Sequence, residues 1–151
     1  MCGIVGYIGE KPVYDILING LKKLEYRGYD SSGVMIYNNE LLVKKSKGKV
    51  SALENLFSNE KDKKGTIGIG HTRWATHGPP NQVNSHPHIS NSGEISLVHN
   101  GIIENYDSIK KILLKKGYTF SSDTDSEVLV NLIEDIKKSK KVKLGKAVYY
   151  A

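Results

Sequence analysis

The chain opens with MCGIVGYIGEKPVYDILINGLKKLEYRG, residues 1–28. Residues 3–8 are a short apolar run with glycines at both ends, which predicts a buried strand. Pro12 suits the first turn of a helix, and the apolar residues after it recur at helical spacing. These residues are Val13, Ile16, Leu17, Leu21 and Leu24. The opening therefore predicts a strand followed by an amphipathic helix over 12–24.

The rest of the chain mixes strand-like and helix-like segments, so the predicted fold class is α+β. Asparagine tolerates positive φ, and Asn38-Asn39-Glu40 therefore predicts a tight hairpin turn. The further strands are expected at 33–37, 41–46, 66–72 and 94–99. Helices are expected at 49–58, 105–116 and 125–138, with another amphipathic segment from Leu144.

The helix over 125–138 has the clearest start. Thr124-Asp125-Ser126-Glu127 matches a capping box, in which the threonine hydroxyl and the glutamate carboxylate satisfy each other's free backbone amides. The later pattern from Leu144 reaches Ala151 without a polar cap, so we expect the chain to end inside an element.

The composition is that of an ordinary folded domain. With 151 residues, 38% hydrophobic and 25% charged, the chain has the size of one domain or part of one. No run approaches the ~18 apolar residues of a membrane helix. The N-terminus has no basic region ahead of an apolar stretch, so secretion is not indicated. We expect a cytoplasmic location and no membrane partner.

The net charge of +6 raises the question of nucleic-acid binding. The lysines lie in scattered groups, which favours solvated faces over a nucleic-acid patch, although a basic binding module stays open as an alternative. The groups are 44–49, 61–64, 110–116 and 137–146. Only two of the 22 basic residues are arginines, Arg27 and Arg73. Because a guanidinium can grip a carboxylate with two parallel hydrogen bonds, both positions are candidates for that geometry.

Cys2 is the only cysteine, so it forms neither an internal disulfide nor a multi-cysteine zinc site. A small second residue generally permits removal of Met1, which would leave Cys2 with a free α-amine. An α-amine titrates at about pH 8 and can accept the thiol proton, so this residue would carry its own base. The alternative is a small hydrophobic residue at the start of a strand.

Four further motifs follow the opening hexapeptide in order. They are EYRGYDSSG at 25–33, HTRWATHG at 71–78, HPH at 86–88 and VHNGIIEN at 98–105. Together with residues 1–6, they resemble the N-terminal glutaminase domain of class II glutamine amidotransferases, which are N-terminal-nucleophile hydrolases. Within that class, 25–33 and 71–78 resemble the glutamine:fructose-6-phosphate aminotransferases, whereas phosphoribosyl amidotransferases typically have a His-Arg-Gly-Gln type of segment at the first of these motifs.

The resemblance implies a four-layer αββα sandwich, of which this chain would hold an incomplete portion. It implies that Cys2 attacks the side-chain amide of L-glutamine, releases ammonia and forms a thioester that water hydrolyses. The Asn100 side-chain amide and the Gly101 N–H would stabilise the oxyanion. Taken on its own, Asn100-Gly101 is also typical of a hairpin turn after a strand ending at His99.

The resemblance also assigns substrate contacts. Arg73 would bind the carboxylate of glutamine and Asp125 its ammonium group. Asp125 is equally explained as a first-turn acid of a helix. Arg27 lies in a motif near the nucleophile, where it would support catalysis or serve structure. A loop folding over the substrate would add contacts from Trp74, Thr76 and His77.

All five histidines fall within 71–99, which raises a metal-binding alternative. Recurrent zinc spacings do not occur among them, and Pro87 between His86 and His88 favours an extended loop. Glycine-rich phosphate-binding motifs do not occur either. We expect no metal and no cofactor, with a histidine-based metal module as the remote alternative.

The resemblance to the glutamine:fructose-6-phosphate aminotransferases implies a longer glutaminase domain followed by two sugar-isomerase domains, which bind fructose 6-phosphate and receive the ammonia. Residues 1–151 are therefore expected to be the N-terminal portion of the glutaminase domain, and the full-length enzyme a homodimer. Uncovered sheet edges and apolar faces would favour instability or association of the isolated chain. Two alternatives are the glutaminase domain of another class II amidotransferase and an inactive fragment.

Overall fold

The structure is a computed structural model that describes residues 2–74 and 81–151. Four strands form the larger sheet: β1 (Gly3–Ile8), β2 (Ser31–Asn38), β3 (Glu40–Lys47) and β4 (Ile67–Arg73). All neighbours are antiparallel, in the order β1-β4-β2-β3. A smaller antiparallel sheet pairs β5 (His88–Ile89) with β6 (Ser96–Leu97).

Five α-helices accompany these sheets in the described residues. They are α1 (Val13–Leu24), α2 (Val50–Glu54), α3 (Tyr106–Lys115), α4 (Asp125–Ser139) and α5 (Leu144–Tyr150), with 3-10 helices at Glu25–Arg27 and Glu60–Lys63. The expected α+β class is confirmed, as are the first four strands and the helices that became α1, α3 and α4. Their ends differ by at most two residues from the expected ones. Asn39 has φ of 65° in the β2–β3 turn, which confirms the hairpin.

Two expected elements are shorter than the sequence indicated. The helix expected at 49–58 ends at Glu54, and the strand expected at 94–99 is confined to β6. After β6 the chain leaves the sheet because side chains of other elements hold His99 and Asn100. The partner strand β5 lies in the stretch expected to be a loop.

One face of the larger sheet carries the main hydrophobic core. Successive strand residues point to opposite faces, and the β4 glycines at 68 and 70 lie against α1. A Cβ on Gly68 would come within 2.8 Å of Leu17 Cδ1, and one on Gly70 within 3.1 Å of Leu21 Cδ1. The alternation therefore places His71 and Arg73 on the opposite face.

A second core lies along α4, where it contacts the small sheet and the last helix. Its buried residues are Ile95, Val130, Ile133 and Ala147. From one side to the other, the layers are α1 with α2, the larger sheet, the small sheet, and α4 with its helical neighbours. This order agrees with an αββα sandwich. Among the described residues, no helix combines the length and the apolar character needed to cross a bilayer.

Candidate active site

A cavity of about 460 Å³ opens where the end of β4 meets the start of α4. Six residues assigned from the sequence line it: Cys2, Arg73, Trp74, Asn100, Gly101 and Asp125. The fold thus brings residues from four separate motifs to one place. Thr76 and His77, which were also expected here, lie outside the described residues.

Cys2 lies at the edge of this cavity, immediately before β1. The Trp74 N–H donates a hydrogen bond to Cys2 Sγ at 3.2 Å, and the thiol lies 3.6 Å from the Trp74 carbonyl oxygen. The next residue, Gly3, pairs with Thr72 on β4. A Cβ on Gly3 would lie 2.7 Å from Leu24 Cδ1, so this glycine lets β1 pass close to α1. The sheet therefore fixes the partly exposed thiol beside the last residues of β4.

Asn100 lies on the other side of Cys2. Its Nδ2 donates to the Cys2 carbonyl oxygen at 3.4 Å, and its Oδ1 lies 2.7 Å from His71 Nε2. The Asn100 side chain therefore presents its NH₂ group to the backbone of Cys2 and its carbonyl oxygen to His71.

The hairpin turn expected at Asn100-Gly101 is wrong. The strand has already ended at Leu97, and irregular backbone leads from there to α3. Side chains fix this loop instead: His99 Nδ1 lies 3.3 Å from Ser126 Oγ. A Cβ on Gly101 would lie 2.8 Å from His99 Nε2, so glycine is needed here because the imidazole packs against the backbone.

Arg73 and Asp125 supply opposite charges to the cavity. Arg73 is the last residue of β4 and is 3% exposed, and Asp125 is the first residue of α4 and is 4% exposed. Asp125 Oδ2 accepts a hydrogen bond from the Ile103 N–H at 2.7 Å. A buried guanidinium and a buried carboxylate at one cavity complement the carboxylate and ammonium groups of an amino acid. Asp125 also ties the loop before α3 to α4, so it is more than a first-turn acid.

Trp74 and the motif at 25–33 meet at the edge of the cavity. The Trp74 side chain is half exposed, and its ring covers Gly28, where a Cβ would lie 3.0 Å from Trp74 Cζ3. Gly28 has φ of 83°, a second reason for glycine. Arg27 ends the preceding 3-10 helix and is not among the residues that line the cavity.

Three buried histidines lie in a row beside the cavity, and one of them, His86, lines it. The ring centroids of His71 and His86 are 4.2 Å apart, and those of His86 and His88 4.8 Å. Burial lowers the pKa of His71 to about 4 and that of His88 to about 3, and the positive charge of Arg73 acts in the same direction. Burial also lowers the pKa of His86. All three rings are therefore neutral at neutral pH.

The start of α4 confirms half of the expected capping box. The Glu127 N–H donates to Thr124 Oγ1 at 3.3 Å. The Glu127 carboxylate, however, accepts from the Ser121 and Ser122 N–H groups at 2.9 and 2.7 Å, while the Thr124 N–H donates to Ser122 Oγ. The predicted reciprocal bond, from the Thr124 N–H to the Glu127 carboxylate, is wrong. The backbone at 121–122 lies beneath the helix, and its N–H groups bind that carboxylate instead. This arrangement fixes the segment that presents Asp125.

Five lining residues were not assigned to the glutamine site from the sequence: His86, His99, Ile102, Thr124 and Ser126. Thr124 Oγ1 lies 2.9 Å from His88 Nε2, which links the histidines to the cap of α4. The clustering of histidines was the available signal, but it suggested a metal. Within residues 2–74 and 81–151, no group of three or more histidine, cysteine or acidic side chains is arranged to hold an ion.

Comparison with known proteins agrees with this geometry. Residues 54–144 match the family model described as a glutamine amidotransferase domain. The chain therefore belongs to the glutamine amidotransferase domain family. Among solved structures, the glutamine phosphoribosylpyrophosphate (PRPP) amidotransferase from B. subtilis is similar with a TM-score of 0.78 and 28% identity, covering 99% of this chain and 32% of that one.

More similar sequences point to one branch of the family. A glutamine–fructose-6-phosphate aminotransferase (isomerizing) of Bacteroides thetaiotaomicron is 60% identical over 153 residues, covering 100% of this chain and 25% of the relative. The enzyme of the same name from Pyrococcus horikoshii is 53% identical over 136 residues, covering 89% of this chain and 23% of the relative. The resemblance seen in the sequence motifs is confirmed. This chain spans about a quarter of the length of these relatives.

Proposed function

We propose that this chain is the N-terminal portion of a glutaminase domain that hydrolyses L-glutamine to glutamate and ammonia with Cys2 as the nucleophile. The observation that carries the proposal is the meeting of Cys2, Asn100, Arg73 and Asp125 around one cavity. Each of these groups has a counterpart in glutamine: the thiol and the amide donor suit its side-chain amide, and the two opposite charges suit its α-carboxylate and α-ammonium groups.

Substrate binding follows from the charges. Arg73 would hold the α-carboxylate with paired hydrogen bonds, and Asp125 the α-ammonium group. With both ends held, the side-chain amide extends toward the thiol of Cys2. Holding the reacting atoms together in this way contributes to rate because the entropy of their encounter is lost on binding. Trp74 would cover the substrate from the edge of the cavity, and the family resemblance adds substrate contacts from Thr76 and His77.

The chemical steps need one base and one oxyanion site. After removal of Met1, the free α-amine of Cys2 accepts the thiol proton, and Sγ attacks the amide carbon. The negative charge on the amide oxygen is stabilised by Asn100 Nδ2 and the Gly101 N–H, where losing one donor typically costs about 10²–10³ in rate. The protonated amine gives its proton to the departing ammonia. Water, activated by the same amine, then cleaves the thioester to give glutamate.

In the full-length protein, the ammonia would serve the conversion of fructose 6-phosphate to glucosamine 6-phosphate, as the names of the similar aminotransferases suggest. That reaction belongs to hexosamine biosynthesis and would take place in the cytoplasm, in a homodimer. Arg27 would act from outside the cavity, by supporting the backbone beneath Trp74.

The test is a Cys2→Ala substitution in the full-length protein. We expect loss of glutamine hydrolysis, and labelling of Cys2 alone by a glutamine-mimicking electrophile in the unsubstituted protein. Mass spectrometry should find Cys2 at the mature N-terminus. Continued ammonia release by the alanine variant would overturn the proposal. Formation of glucosamine 6-phosphate from glutamine and fructose 6-phosphate would assign the aminotransferase branch, and its failure with intact glutaminase activity would favour another amidotransferase.

A further inference from the structure

We propose that His71 is a positioning residue that holds the Asn100 amide in its oxyanion-stabilising orientation through a hydrogen on Nε2. This inference rests on the proposed function. His71 is not among the residues lining the cavity, so its effect on catalysis passes through Asn100.

The direction of the hydrogen bonds follows from the chemistry of the three groups. The Cys2 carbonyl oxygen can only accept, so the Asn100 atom that faces it at 3.4 Å must be Nδ2. The other amide atom, Oδ1, then faces His71 Nε2 at 2.7 Å. An amide oxygen also only accepts, so Nε2 must carry a hydrogen. Donation therefore runs from His71 through Asn100 to Cys2.

The other ring nitrogen supports the same assignment. His71 Nδ1 is buried and has no hydrogen-bond partner among the described residues. Burial keeps the ring neutral, with a pKa of about 4, so the ring has a single N–H. A hydrogen on Nδ1 would leave a buried donor unsatisfied and would remove the donor to Asn100, whereas a bare Nδ1 leaves only an acceptor unsatisfied.

Both the backbone and the ring of His71 are held by neighbouring elements. His71 is 1% exposed and pairs with Ile4 on β1 and Gly33 on β2. Its ring packs against that of His86, with the two planes tilted by 34°. The His86 carbonyl oxygen in turn lies where a Cβ on Gly33 would come within 2.1 Å. A donor fixed by the central strands needs no reorganisation during the reaction, which is how such groups stabilise developing charge.

Without this donor, only the long 3.4 Å bond to the Cys2 carbonyl oxygen restrains the Asn100 amide, so the flipped orientation becomes more accessible. Oδ1 would then face Cys2, and an oxygen lone pair would meet the developing oxyanion in place of an N–H. The flip would raise the free energy of the transition state. It would hardly change the affinity for glutamine, whose charged ends contact Arg73 and Asp125. The expected signature is therefore a lower kcat with little change in KM.

The kinetic test compares His71→Phe with His71→Gln in the full-length protein. Phenylalanine keeps a ring without a donor, and we expect a fall in kcat for glutamine hydrolysis of about 10², comparable to removing one oxyanion donor. Glutamine can place an amide N–H near the position of Nε2 and should restore most of that loss. In an Asn100→Ala background, His71→Phe should cost little more. Equal losses in both variants, or a full further loss in the Asn100→Ala background, would overturn the proposal.

A spectroscopic measurement uses the unsubstituted protein, so its result does not depend on whether a His71 variant folds. The ¹⁵N shifts of the His71 ring distinguish the two neutral tautomers, and we expect the hydrogen on Nε2. A hydrogen on Nδ1 would overturn the positioning role even if Cys2→Ala abolishes hydrolysis. Conversely, the hydrogen could be found on Nε2 while the Cys2→Ala variant stays active. That result would refute the proposed function but not the hydrogen bond from His71 to Asn100.

Discussion

If the proposed function holds, Arg73 is the residue at which side-chain geometry matters most for glutamine binding. In Arg73→Lys, the positive charge stays but the planar pair of donors is lost, and we expect KM for glutamine to rise about 10- to 100-fold, corresponding to one or two charged hydrogen bonds. The measurement is the steady-state rate of glutamine hydrolysis. Glutamine whose α-carboxylate is converted to an amide serves as the control substrate, because the substitution should hardly change its already weak binding. An equal change with both substrates would contradict the carboxylate contact.

Gly33 is a residue at which the packing leaves no room for a Cβ. A Cβ there would meet the His86 carbonyl oxygen at 2.1 Å, so Gly33→Ala forces the sheet and the histidine segment apart. We expect a loss of about 1–3 kcal/mol in the free energy of unfolding, measured in urea. Gly145→Ala in α5 is the matched control. That position has open space around it, and alanine should stabilise the helix by about 0.5–1 kcal/mol. A neutral Gly33→Ala would contradict this close approach.

At the scale of elements, the Thr124 hydroxyl holds the start of α4. It accepts from the Glu127 N–H and contacts His88 and Ser122. Thr124→Val keeps the shape without the hydroxyl, and we expect it to lower the free energy of unfolding by about 1–2 kcal/mol, as for other lost caps. Thr124→Ser, which keeps the hydroxyl, should stay close to the unsubstituted protein in the same denaturant titration. Equal stability of the two variants would mean that the hydroxyl does not cap the helix.

The elements differ in how well the sequence predicted them. The strands and helices around the main core were predicted because each is long enough to show a hydrophobic period. The small sheet was not, since strands of two residues such as His88–Ile89 show no alternation. Glu127 likewise fits the capping motif, yet its carboxylate binds Ser121 and Ser122. The motif determines where the helix begins, and the preceding backbone determines which amides the acid reaches.

For the whole molecule, the buried histidines make stability depend on pH. The pKa values of His71 and His88 fall from 6.5 to about 4 and about 3 on burial. Between those values and pH 6.5 the unfolded chain binds more protons than the folded one, so the free energy of unfolding falls as the pH falls. We expect a melting temperature that changes little near pH 7 and a clear decrease by pH 5. His88→Gln removes one titrating group and should reduce the decrease. A melting temperature that is flat from pH 7 to pH 5 would contradict neutral burial.

The sequence by itself determined the family and most secondary structure, and it supplied the nucleophile that we propose. Cys2, Asn100 and Arg73 stand in local motifs, and amphipathic helices follow from a period that each segment carries alone. Only the tertiary structure decided which side chains connect these motifs to one another. Three contacts join residues that are far apart in the chain: the packing of His71 against His86, the link from His88 to Thr124 and the bond from the Ile103 N–H to Asp125. Such contacts leave no periodic signal, because they depend on how two sheets and a helix meet in space.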